Sequence, residues 1–260
     1  MPSLRSNLET MHTTHTLILI HGFGMTSSIW NLLKKKFPKK SNLITVDYSM
    51  LTCQTIEEYA DWLHEELTSK GISSPILVGH SMGGYISLAY LEKYPKNVSG
   101  LVLFHSVGSA DNDARKMSRQ KTIEFIERNS SELFLEEFLP SIFSSSFVEN
   151  EARLVRSLVD EYKTLPSSSI ISATEAMKTR KGRMHLLAST HLPIGFIFGG
   201  QDSLIPREKC IEQINTVQNP HVLWLNSVGH AGMIESPDVC ASFLLNYQET
   251  CIQNSLVTTH

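Results

Sequence analysis

One serine in this chain is set up for nucleophilic chemistry. Pro75-Ile76-Leu77-Val78-Gly79-His80-Ser81-Met82-Gly83-Gly84 reads as a buried strand, a turn with glycines on both sides of Ser81, and the start of a helix. A serine hydroxyl is a weak nucleophile at neutral pH, so it must meet a base and lie beside donors for the oxyanion that develops when it attacks a carbonyl. Gly79 and Gly83 remove the side chains that would clash in a sharp strand-to-helix turn. The backbone N–H of Met82, the next residue, then points out of a helix N-terminus toward the reacting oxygen. The helical run after it ends at Tyr94, because Pro95 restricts its predecessor away from helical angles.

The elements that must hold such a turn follow from hydrophobic patterning. The chain has 260 residues, 41% of them apolar and 19% charged, enough for an ordinary globular core. A formal net charge of -3 argues against a nucleic-acid partner. Cys53, Cys210, Cys240 and Cys251 form no C-x-x-C pair or metal spacing and read as free buried thiols in a reducing compartment. No apolar signal-peptide core and no run of membrane-spanning length is visible, which predicts a soluble, cytoplasmic chain without stable membrane insertion. His12-Thr13-Thr14-His15 lacks further ligands at metal-binding spacing and is read as a solvated turn. The lysines at 34, 35, 36, 39 and 40 are read as a solvated helix end.

Buried strands are predicted over residues 16–20, 42–48, 75–79, 100–106, 193–198 and 222–225. Helices are predicted over 26–37 with Ser27 or Ser28 as cap, over 55–70 with Gly71 at C′, and over 237–251, followed by a polar tail. Strands alternating with helices imply a parallel sheet covered on both sides, with ligands at the carboxyl ends of the strands. Between 109 and 190 the strand signal stops. Helices are expected there over 111–129, around 133–143, and over 152–162 and 169–179, with Pro140, Pro166 and the serine runs as breaks.

The Gly79–Gly83 turn between strand and helix resembles the nucleophile elbow of the α/β-hydrolase family. That resemblance implies an α/β-hydrolase fold: a mostly parallel sheet flanked by helices, with an all-helical cap inserted after the sixth strand. It divides the chain into a first core part (1–108), a cap (109–190) and a second core part (191–260). The opening two-strand hairpin of the family is expected to be truncated or absent. The family order of serine, acid and base, each just after a strand, implies Ser81, Asp202 and His230 as the catalytic triad. The His21-Gly22-Phe23 loop implies Phe23 as the second oxyanion amide beside Met82. His21, Gly22, His80 and Ser106 are expected around the pocket, and Asp47 and Asp111 are the reserve acids.

The implied activity is acyl transfer to water: cleavage of a carboxylic ester or thioester of a small, partly apolar substrate through an acyl-enzyme on Ser81, with no metal or organic cofactor. The same residues serve carbon–carbon bond hydrolases and acyltransferases, and a receptor can keep the fold without turnover. The phenylalanines of the 109–190 segment are read as its internal packing. No lysine or arginine can be assigned from sequence to an anionic substrate group, and oligomeric state is not legible.

Overall fold

A computed structural model describes residues 15–257; the expected N-terminal truncation and the His12 end of the histidine pair lie outside the described residues. His15 is held by the far end of the chain, its carbonyl accepting from Gln248 at 2.7 Å. Six strands form one parallel sheet: β1 (Leu17–Ile20), β2 (Leu43–Val46), β3 (Ile76–His80), β4 (Gly100–Phe104), β5 (Ile194–Gly199) and β6 (His221–Leu225), in the spatial order β2-β1-β3-β4-β5-β6. The order reverses between β1 and β3, which opens a crevice beyond their carboxyl ends. Strands β1, β3, β4 and β5 are buried along their whole length, as continuous apolar runs covered on both faces must be.

The crossovers are helical. Thr26 caps a 3-10 turn over Ser27–Trp30 that runs into the single α-turn α1 (Asn31–Lys34), so the helix expected over 26–37 is shorter, and neither Ser27 nor Ser28 is the cap. Trp30 closes the 3-10 turn, its buried ring packed edge-on against Phe104 at 5.4 Å. Next come α2 (Ile56–Ser69), with Gly71 beyond it at φ 70°, and α3 (Met82–Lys93). After β4 the chain runs through α4 (Asp113–Arg128), α5 (Ser131–Phe138), α6 (Ser145–Asn150), α7 (Ala152–Tyr162), α8 (Ser167–Thr179) and α9 (Met184–Ser189) before β5. α10 (Arg207–Ile214), the short α11 (Gly232–Glu235) and α12 (Pro237–Val257) complete the order.

The helical segment follows β4 among the described residues, and two expectations need correction. The serine runs are starts as well as breaks: Ser144 Oγ accepts from Phe147 N–H and opens α6, and α8 begins at Ser167. The last helix does not stop at Cys251 but continues to Val257. α6, α9, α10 and α11, each of eight residues or fewer, carry too few periods to be legible in sequence.

The ends of the helical segment are tied together where it leaves and rejoins the sheet. Arg183 N–H donates to Gly108 O at 2.6 Å, and the buried Arg183 guanidinium reaches Glu57 on α2 at 2.7 Å and Glu92 on α3 at 2.9 Å. On the other side, Gln213 of α10 donates to Ser106 O at 2.8 Å and accepts from Gly108 N–H at 3.1 Å. No disulfide forms among the described residues, and no helix among them is long and apolar enough to cross a membrane.

Close backbone approach in this fold makes a direct prediction. A Cβ at Gly83 would sit 2.5 Å from Ile20 O and 2.6 Å from His21 O, both fixed by the sheet edge. Gly83→Ala is expected to destabilise the protein by about 1–3 kcal/mol, read from the urea midpoint. An unchanged midpoint would mean that β1 and the elbow are not packed this way.

Candidate active site

Ser81 sits between β3 and α3 at φ 50° and ψ −113°, a left-handed backbone that a serine adopts only when its surroundings impose it. The surroundings are visible. Ser81 N–H donates to Phe104 O at 2.9 Å, and Ser81 O accepts from Gly84 N–H at 2.9 Å and Ser106 Oγ at 2.7 Å. A Cβ at Gly79 would collide with the Gly83 carbonyl. As the first residue of α3, Met82 has an N–H with no acceptor one turn back, and Ser81 provides no side-chain cap.

Asp202 follows β5 and His230 follows β6, and their two loops are bonded to each other. Gly200 N–H donates to Leu225 O at 2.8 Å and Gln201 N–H to Val228 O at 2.9 Å. The side chains meet: His230 Nδ1 lies 2.7 Å from Asp202 Oδ2, with both groups nearly sealed from solvent. Asp202 Oδ1 accepts from Leu204 N–H at 2.9 Å and Ile205 N–H at 3.1 Å, so the carboxylate is fixed in plane. With Nδ1–H committed to Asp202, the lone pair of His230 is on Nε2, which is buried and has no protein partner among the described residues.

Ser81 and His230 border one cavity of about 260 Å³. Phe23 and Met25, from the loop after β1, form part of its wall, and Phe134 and Phe138 of α5, also in the wall, pack against Phe23 at 6.1 and 5.6 Å between ring centroids. Those two phenylalanines therefore line the cavity and are not only internal packing of the helical segment. The helical segment also holds the histidine loop, since His230 N–H donates to Ile142 O at 2.6 Å and Glu235 accepts from both Gly229 N–H and Ser144 Oγ.

The four residues expected around the pocket do not border this cavity. His21 stacks on Tyr48 at 3.9 Å, and its Nε2 accepts from Tyr48 N–H at 3.1 Å. It borders, with Gly22, a separate narrow cleft. Ser106 is turned toward the elbow backbone. His80 lies in the layer beneath, donating Nε2–H to His230 O at 2.8 Å, and the close approach of its ring is why residue 22 lacks a side chain. The reserve acids are spent elsewhere: Asp47 accepts from Ser27 N–H and Ser49 N–H, and Asp111 is ion-paired with Arg119 and Arg180.

Sequence reasoning missed His105. It directly follows β4 at φ 45°, fully buried, with Nε2 accepting from Gly232 N–H at 3.1 Å and Nδ1 facing Asp202 Oδ2 at 3.3 Å. Its position just past a strand end, as for Ser81, Asp202 and His230, was the available signal. His105, Asp202 and His230 place one potential ligand atom each within 4.8 Å of one another. With His105 Nε2 accepting from Gly232 N–H and His230 Nδ1–H donated to Asp202, both imidazoles turn an N–H and not a lone pair toward Asp202, so the three do not fit a metal centre.

Burial pushes the Asp202 carboxyl upward, but the imidazoles of His230 and His105 outweigh it and hold the group well below the usual carboxylate range. Burial holds His80 well below the ordinary imidazole value, with the His230 and His105 rings adding to it, and burial likewise lowers His105. All three depressions act in the same direction: the folded state releases protons that the unfolded chain retains, so stability is present at neutral pH and is lost on acidification. The urea midpoint is expected to fall first below about pH 6.5, where unfolded histidines charge, and again below about pH 4, where the unfolded Asp202 protonates. Asp202→Asn should flatten the second fall. A wild-type midpoint constant from pH 7 to pH 4 would contradict this electrostatic arrangement.

Comparison with known proteins agrees with this architecture. The sequence profile of the "Alpha/beta hydrolase family" matches residues 17–243. The chain is 26% identical over 265 residues to Lipase 1 of Psychrobacter immobilis, covering 86% of this chain and 74% of that protein. It is 23% identical to the pimeloyl-[acyl-carrier protein] methyl ester esterase of Yersinia pestis, covering 90% and 93%. In structure it is similar to a thermophilic esterase from Thermogutta terrifontis, with a TM-score of 0.85 at 21% identity over 92% of this chain and 91% of that one. With the elbow at Ser81, the parallel sheet that carries it and a profile match across most of its length, the chain belongs to the alpha/beta hydrolase family.

Proposed function

We propose that the chain is a serine hydrolase that cleaves a carboxylic ester or thioester of a small, partly apolar substrate through an acyl-enzyme on Ser81. The observation that carries this reading is the cavity bordered by Ser81 and His230, with His230 held by Asp202 at 2.7 Å. Ser81 Oγ bonds to the substrate carbonyl carbon while its proton passes to His230 Nε2. Asp202 keeps the imidazole in the right tautomer and stabilises the imidazolium. The N–H groups of Met82 and Phe23 hold the oxyanion, and His230 then returns the proton to the departing alcohol or thiol. A water deprotonated by His230 attacks the acyl-enzyme, releasing the acid and restoring the serine hydroxyl.

In this reading residues 109–190 are a cap. It completes the pocket with Phe134 and Phe138, whose rings favour an apolar acyl or alcohol part. The names of the lipase and esterase relatives support ester chemistry. Three buried, unpaired thiols are consistent with a cytoplasmic setting.

Purified protein is expected to release nitrophenol from short-chain nitrophenyl esters and to react with a fluorophosphonate probe. Ser81→Ala should remove probe labelling and lower kcat/KM by at least about 10³-fold, and Asp202→Asn should lower it by about 10² to 10⁴-fold. If Ser81→Ala equals wild type in both assays, the acyl-enzyme reading fails and a ligand-binding protein on the same fold takes its place.

A further inference from the structure

The face that α4 turns toward the Ser81 cavity is polar. Arg115, Ser118, Arg119 and Thr122 recur at i, i+3, i+4 and i+7 and all border the cavity. Met117 is 62% exposed on another face of the same helix, and the buried Ile123 and Ile126 carry its apolar packing. A surface helix ordinarily turns apolar residues inward and charges outward. Beside those isoleucines, the half-buried Arg119 and Thr122 face a cavity also lined by Phe23, Phe134 and Phe138, with Arg115 and Ser118 exposed at its border.

Arg119 is the member with spare binding capacity. Its side chain is 12% exposed, and its Nε pairs with the Asp111 carboxylate. Its two terminal nitrogens have no acceptor among the described residues, yet they are not sealed in, unlike Arg180 Nε. Arg180, the second arginine on Asp111, has both terminal nitrogens employed: they donate to Met177 O at 2.9 Å and Ser109 O at 3.0 Å, and its guanidinium stacks over Tyr85 at 4.0 Å. The Arg119–Asp111–Arg180 cluster thus sets two guanidinium cations against one carboxylate. Asp111 and Arg180 border a neighbouring cleft and not the Ser81 cavity, so of this cluster that cavity meets only Arg119. A shielded, unbalanced guanidinium with an open edge fits one more carboxylate, which can accept two parallel N–H bonds.

We infer that the cavity takes an ester carrying a free carboxylate, with Arg119 gripping that carboxylate while the apolar rings hold the chain leading to the carbonyl that Ser81 attacks. This rests on the acyl-enzyme reading of Ser81 and narrows its substrate class to half-esters of dicarboxylic acids. Monoanionic charge is specified because the cluster has one positive charge in excess. Arg115, exposed at the cavity wall, assists entry.

Two measurements separate the anion site from the chemistry. The first compares kcat/KM for monomethyl esters of dicarboxylic acids of graded chain length with the matching dimethyl esters. Wild type is expected to favour the monoanion at the best length by at least about tenfold. Arg119→Gln should bring the ratio to about one, and Arg119→Lys should keep part of it. The ratio is internal to each variant, so a partly unfolded fraction lowers both rates and leaves it unchanged. The second is calorimetric binding of the monomethyl and dimethyl esters to Ser81→Ala protein, where the monoanion should bind more tightly and adding Arg119→Gln should erase the difference. Equal or better use of the dimethyl esters, or a ratio unmoved in Arg119→Gln, overturns the anion site while leaving the acyl-enzyme reading standing. Preferential binding of the monoanion without hydrolysis of any ester keeps the anion site and overturns the acyl-enzyme reading. Tighter binding of a phosphonate isostere than of the carboxylate would overturn the carboxylate class.

Discussion

A serine held at φ 50° is the constraint on which the rest of this structure depends. A non-glycine residue in that region costs of order 1–3 kcal/mol and persists only where its neighbours over-determine it. They do so here through three hydrogen bonds to the Ser81 backbone and through glycines at 79, 83 and 84 that let α3 lie directly against the sheet edge. The parallel order β1-β3-β4 is what brings Phe104 O and the β1 carbonyls to the places where they are needed. The elbow is therefore a consequence of the sheet as much as of its own pentapeptide.

Buried charge is managed in two different ways around the cavity. Asp202 is ionised in a dry site because two imidazoles and two backbone N–H groups face it, so its charge is matched before any ligand arrives. Arg119 is matched only in part, since one carboxylate serves it and Arg180 together. The first arrangement fixes geometry and the second leaves capacity for an incoming anion. Beneath both, His80 and His105 remain neutral by burial and serve as hydrogen-bonding struts, one to the carbonyl of His230 and one to the amide of Gly232.

Much of this was legible in residue order. The β1, β3, β4 and β5 strands read as unbroken apolar runs, Gly71 and Pro95 marked helix ends, and Ser81, Asp202 and His230 each stand just past a strand. A chain with those features has few other ways to cover both faces of a sheet. Short elements were not legible, because one or two turns carry no period, and a serine run serves equally as a break or as a cap until its hydroxyl is seen accepting an N–H.

What the sequence determined by itself was the sheet, the elbow and the places of Ser81, Asp202 and His230 just past strand ends, since these depend on local pattern and on glycine at fixed offsets. What only the tertiary structure decided was which groups face the cavity. His21, His80 and Ser106 turned out to be framework, while Phe134, Phe138 and Arg119 became wall. The reason is that facing depends on how α4 and α5 fold back over the strand ends across large separations in chain, and Arg119, one turn before the buried Ile123, stands at a position that helical periodicity does not mark as cavity wall.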